Sequence, residues 1–134
     1  MMEPTYKVSF WFRKILVPID GSENSLKALD LAIDFNMRYG SEITVLHVCE
    51  NCDKDRIKKL IEMRTKGKIN YFFKVRHLTN ETSPSNEILQ EINEGNYDAV
   101  IMGARGLTTN PDIITGSVTM AVIANAPVTV ITVR

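Results

Sequence analysis

The sequence predicts an α/β fold, a single doubly wound domain built on a five-stranded parallel sheet with helices on both faces. Three observations predict it. Short apolar runs of strand length alternate with stretches of helical period. Each pair of successive strand patterns is joined through one of those helical stretches, which is the signature of parallel crossovers. The chain has 134 residues, enough for one ordinary domain and not for two.

Residues 14–19, with Ile15, Leu16, Val17 and Ile19, form the first strand pattern. Asp20-Gly21-Ser22 follows as a turn, with Ser22 suited to cap a helix. Leu26, Leu29, Ala32 and Ile33 then recur at helical spacing until Gly40 stops the helix. Residues 43–48 make a second strand, and 53–66 a short basic helix with Ile57, Leu60 and Ile61 inward. Residues 69–77 alternate, Ile69, Tyr71, Phe73 and Val75 opposing Lys74 and Arg76, as in an edge strand blunted by charge. Ser83-Pro84 opens the third helix, with Ile88, Leu89 and Ile92 inward and Gly95-Asn96 at its end. Residues 99–102 read as a buried strand that Gly103 breaks. A long loop leads to Gly116-Ser117, a helix over 118–125, a stop at Pro127 and a last strand over 128–133.

Residues 1–13 stand apart as an N-terminal arm before the domain at 14–134. Val8, Phe10 and Phe12 alternate with Lys7, Ser9 and Trp11, so the arm suits an added strand or packing across a neighbour.

Composition excludes several classes. Lys+Arg and Asp+Glu are both 16, so net charge recommends neither nucleic acid nor an anionic membrane as partner. No apolar run approaches the length of a membrane helix, and no signal-peptide pattern opens the chain, so a cytoplasmic location is expected. The neutral total hides a split. Nine Lys/Arg lie between Lys54 and Arg76 against Asp55 and Glu62, whereas residues 81–98 hold five acids and no base. Solvated helix faces and a charged sheet edge are the plain expectation, a docking surface the sharper one.

The loop after the fourth strand carries the most chemistry. Gly103 and Gly106 let backbone amides approach an anion, Arg105 adds a forked charge, and Gly116-Ser117 presents unpaired N–H groups at a helix start. Those are parts of a phosphate cradle. Ordinary turn glycines with a helix cap would look the same, and spacing alone leaves the two readings even.

Residues 14–134 resemble a universal stress protein domain. The segment from Lys14 to Ser22 resembles that family's first strand and turn, and Leu46-His47-Val48 the end of its second strand. Met102-Gly103-x-x-Gly106, nine residues, then Gly116-Ser117-Val118 is similar to the Gly-2x-Gly-9x-Gly-Ser/Thr pattern of the family's ATP-binding branch. The resemblance implies strand order 3-2-1-4-5 and an ATP site between the loops after strands 1 and 4; any Mg²⁺ there would be held mainly by the phosphates. It implies that Asp20 holds the ribose or adenine edge, Pro18 and Val48 line the base pocket, and Gly103, Gly106, Gly116 and Ser117 wrap the phosphates. Met102 and Val118 complete the walls, and Arg105 is the nearby cation. It also implies a homodimer through the last strand, from Val128 to Val133, whose uncharged edge needs cover.

The spacer from Leu107 to Thr115 departs from the pattern: it holds Asn110-Pro111-Asp112 and no base, where many relatives carry Lys or Arg. The function that the resemblance implies is an ATP-binding regulatory module, and no catalytic residue can be named. A slow ATPase in the same pocket and a non-nucleotide interaction module are the alternatives. Asp20 also has a plain role as a turn former. Cys49-x-x-Cys52, with His47 and His77, permits a redox or zinc reading, but two incidental cysteines beside the pocket are the expectation.

Overall fold

The computed structural model describes residues 11–105 and 116–134. Among them, strands β1 (Lys14–Pro18), β2 (Glu42–Cys49), β3 (Tyr71–His77), β4 (Ala99–Gly103) and β5 (Thr129–Val133) alternate with four helices. These are α1 (Glu23–Tyr39), α2 (Lys54–Thr65), α3 (Pro84–Gly95) and α4 (Ser117–Asn125). The sheet is parallel throughout, in the order β3-β2-β1-β4-β5. That is the order the resemblance implies.

Period-2 alternation sorts the strand side chains onto two faces. Ile15, Val17, Val45 and Ile101 pack with Ala28 and Leu29 of α1 and with Ile57 and Ile61 of α2. Leu16, Leu46, Val100 and Met102 pack with Ile88 and Ile92 of α3 and with Val122 of α4. The central strand β1 is buried on both sides, which is why its sequence is a continuous apolar run.

Local signals set the helix ends. Ser22, Asp53 and Ser83 cap α1, α2 and α3 by accepting the N–H of Ser25, Arg56 and Asn86. Gly40 closes α1 at φ +73°, a left-handed conformation that glycine adopts without a Cβ penalty. Most boundaries fall within one residue of expectation, and two differences carry information. Ile69 is buried but precedes β3, which starts at Tyr71. Gly103 does not break β4; it is the strand's last paired residue, opposite Val133. Of the N-terminal arm, Phe12 packs on Phe35 of α1 with ring centroids 5.0 Å apart. The strand alternative for the arm rests mainly on residues outside those described.

The charge split resolves into an internal network as well as solvated faces. Arg76 reaches across from β3 to Glu87 at 3.0 Å, Glu91 at 2.9 Å and Glu94 at 3.3 Å on α3. Lys74 meets the second oxygen of Glu91 at 2.8 Å, and the Tyr97 hydroxyl donates to that same oxygen at 2.7 Å. On the other face, Arg64 of α2 pairs with Glu23 and Asp30 of α1. Basic β3 and acidic α3 therefore satisfy each other in part, because the sheet places them on one face.

Glu91 is the hub, only 1% exposed. Burial alone would push its carboxyl up, but hydrogen bonds from Lys74, Tyr97 and Arg76 outweigh that and hold it below the usual carboxylate range. Burial first, and the Glu91 carboxylate second, push the Tyr97 phenol well above its ordinary value. A carboxylate depressed in the folded state adds stability above its unfolded value, roughly 4.3, which is lost as pH falls through the folded value. Glu91→Gln is therefore expected to cost about 2–3 kcal/mol at pH 7 in urea unfolding. It should also flatten the loss of stability below about pH 4. Unfolding midpoints equal to wild type at both pH values would show that the network contributes nothing.

Candidate functional site

β1 is hydrogen-bonded to β2 on one side and β4 on the other, and the chain leaves β1 and β4 toward opposite faces of the sheet. α1 lies on one face and α4 on the other. The loops after β1 and β4 therefore diverge and leave a crevice at the carboxyl ends of the strands. Pro18 widens it. The Ile19 N–H donates to Leu46 of β2, so the intervening Pro18 has its nitrogen on the β4 side, where it carries no hydrogen to donate. The β1–β4 register accordingly ends at Leu16 and Val100.

The crevice is a cleft of about 310 Å³. Pro18 and Asp20 border it on the β1 side, and Val48 and Met102 lie at its apolar base. Gly103, Arg105, Gly116, Ser117 and Val118 form the opposite lip. Nine of the ten residues singled out in the sequence thus meet around one cavity. The tenth, Gly106, lies outside the described residues, as do Asn110, Pro111 and Asp112. The cleft also takes in Ile19, Ser25, Leu46, Pro84, Ile88 and Thr119. Leu46 and Ile88 were legible as apolar positions, but their position at the cleft end depends on the tertiary arrangement.

Each lip is held by identifiable bonds. His47, buried in β2, has Nδ1 2.8 Å from the carbonyl of Ile19, fixing the start of the β1 loop. Asp20 accepts the Ser22 N–H at 2.9 Å, so its turn-forming role is present in the structure. On the other lip, Ala104 donates to Val133 and Gly116 donates to Ala104, both at 2.7 Å. The loop that leaves at 104 therefore returns beside its own start. Thr119 ties the first turn of α4 to β4, donating to the Gly103 carbonyl at 2.8 Å. Gly116 is the N-cap of α4 and, having no side chain, contributes no capping acceptor to the N–H groups of that first turn, which borders the cleft.

The arrangement has an apolar end, formed by Pro18, Leu46, Val48, Ile88 and Met102. It has a donor-rich end at α4, where the positive pole of the helix favours an anion. Among the described lining residues, the charged side chains are Asp20 and Arg105.

The cysteines depart from the incidental reading. Cys49, the last residue of β2, is disulfide-bonded to Cys52, with Cα atoms 5.3 Å apart. His77 lies beside Cys52, whereas His47 faces the Ile19 carbonyl, so the four side chains sketched as a zinc site are not assembled. No group of three or more His, Cys, Asp or Glu among the described residues is placed to hold a metal. No described helix is long and apolar enough to cross a membrane.

A doubly wound α/β domain with a crevice at its switch point belongs to a class that takes small ligands there. The particular family is shown by its model, the universal stress protein family, which matches residues 12–134; the chain belongs to that family. A universal stress protein of Methanocaldococcus jannaschii is 26% identical over 144 residues, spanning 92% of this chain and 82% of that protein. Among solved structures, a universal stress protein in complex with cAMP is similar at TM-score 0.74 and 20% identity, covering 91% of this chain and 96% of that one. A universal stress protein from Archaeoglobus fulgidus in complex with dAMP is similar at TM-score 0.64 and 20% identity, covering 92% and 98%.

Gly103 yields a direct test of the lip. A Cβ there would stand 2.8 Å from the backbone carbon of Asn24 and 2.9 Å from the nitrogen of Ser25. Backbone cannot give way as a flexible side chain does, so α1 must shift from β4. Gly103→Ala is expected to cost about 1–3 kcal/mol in thermal or urea unfolding. An unchanged midpoint would mean that the close approach is not tight.

Proposed function

We propose that this chain binds an adenine nucleotide in the cleft, with ATP as the ligand and Mg²⁺ held mainly by its phosphates. The observation that carries the reading is the juxtaposition of an apolar slot with the N-terminus of α4, whose N-cap Gly116 offers no side-chain acceptor, at the switch point. An aromatic base fits against Pro18 and Val48, and Asp20 stands where a ribose hydroxyl would be held. Gly103, Gly106, Gly116 and Ser117 supply backbone and hydroxyl donors for phosphate oxygens, beside Arg105, with Met102 and Val118 as walls. The cAMP and dAMP complexes of the two similar structures support the nucleotide class.

Calorimetry with MgATP should show binding tighter than about 1 mM, and Gly106→Val should abolish it while the far-ultraviolet spectrum stays native. Hydrolysis should run well below about 1 s⁻¹, because it needs an oriented water and strong stabilisation of charge at the γ-phosphate. Turnover at that rate would make the domain an enzyme. No heat at millimolar ligand would leave it an interaction module.

We propose also that two copies pair through β5. That strand lies at the sheet edge, half exposed along its length, and Met120 and Ile123 of α4 are large apolar side chains left exposed. Light scattering should give a dimer at micromolar concentration, and Val130→Lys should return the mass of a monomer. A monomeric wild type, its mass unchanged by that substitution, would remove the proposal.

A further inference from the structure

Three features of the Cys49–Cys52 bridge separate it from a structural staple. It joins residues three apart, so it constrains the unfolded chain less than a bridge across a long loop. Both ends of its loop are already fixed. Cys49 sits in the β2–β3 ladder opposite His77, its carbonyl accepts from Leu78 at 2.8 Å, and Asp53 caps α2. Its two sulfurs are also unequal. Cys49 is 8% exposed, whereas Cys52 is half-buried between exposed Asn51 and Asp53. The Cys52 Sγ lies 3.4 Å from Nδ1 of His77, an exposed ring held by the last rung of that ladder.

We infer that Cys49 and Cys52 form a redox-active site that exchanges with low-molecular-weight thiols, with Cys52 as the exchanging sulfur and His77 as its proton partner. The inference is independent of nucleotide binding. In the reductive direction an external thiolate attacks the reachable Cys52 Sγ. A bond forms between the two sulfurs, the Cys49–Cys52 bond breaks, and its electron pair leaves on Cys49, which takes a proton from water. A second external thiolate attacks the external sulfur of the mixed disulfide and releases Cys52 as a thiolate. Two external thiols are thereby oxidised to one disulfide, and the protein disulfide is reduced to two thiols. Beside Cys52, the His77 imidazole shares the thiol proton, which favours the thiolate needed for the reverse reaction.

Glutathione is the probe, with thiols trapped by a maleimide mass tag and read by mass spectrometry on the folded protein. Wild type should convert between an untagged form in oxidised glutathione and a doubly tagged form in excess reduced glutathione. Cys49→Ser should accumulate a glutathione adduct on Cys52, and Cys52→Ser should form its adduct at least about tenfold more slowly. In the Cys49→Ser background, His77→Ala should slow adduct formation about threefold or more at neutral pH, with the circular dichroism unchanged. A bridge that opens only after unfolding in urea would make it structural and overturn the inference. Two free thiols persisting in oxidised glutathione would overturn it too, as would equal rates for the two single-cysteine variants. An unchanged rate on removing the imidazole would strike out the part assigned to His77.

Discussion

β1 is shared by two strands, and the order of the sheet reverses around it. That constraint governs the rest of the structure. A parallel strand must be reached by a right-handed crossover, so the chain's passage outward from β1 through β2 to β3 places α1 and α2 on one face. The passage through β4 to β5 places α3 and α4 on the other. The two loops beside β1 then cannot close on each other. Pro18 reinforces this by withholding the hydrogen that would extend the ladder toward β4. The cleft is thus a product of topology and one proline.

The ion network on the α3 face bears on that cleft through geometry. Glu91 fixes the middle of α3 to the sheet edge through Arg76 and Lys74, and to the strand approach through Tyr97. Pro84 and Ile88, at the start of the same helix, form part of the cleft wall. Taking Glu91 out of water is costly, and with three donors satisfied the return is fixed orientation as much as stability. Charges with defined partners add a fixed register to the apolar packing of Ile88 and Ile92 against the sheet.

Much of the fold was legible because its signals are local. Periods of 2 and 3.6 separated strands from helices, and Ser22, Asp53, Ser83 and Gly40 lie at the element ends where cap chemistry needs them. Most of the cleft was legible because glycines with Ser117 and Asp20 mark two strand ends, and the resemblance brought those ends together. What escaped was set by register and close approach. Nothing near Gly103 in the chain announces that Asn24 presses on it, so the glycine read as a strand breaker. The acidic run of α3 and the basic residues of β3 read as separate surfaces because only the tertiary arrangement opposes them. Cys52 and His77 are 25 residues apart, and the Cys49–His77 pairing of β2 and β3 makes them neighbours.

The caps carry one more piece of logic. α1, α2 and α3 each begin with a side chain that folds back onto a backbone N–H, while α4 begins with Gly116 and has no such bond. Replacing a capping side chain by glycine costs only a few tenths of a kcal/mol, so an uncapped start is energetically cheap. Its consequence is chemical. A Ser or Asp at position 116 would place an oxygen over the first-turn donors and compete with any anion arriving there, and a carboxylate would repel it. Glycine places no such oxygen over the donors of the turn that borders the cleft. The backbone N–H of the same residue donates to the Ala104 carbonyl at 2.7 Å and brings both ends of the loop together. The backbone N–H that closes the loop could belong to any residue but proline; what glycine itself contributes is the absence of a side-chain oxygen at the helix start.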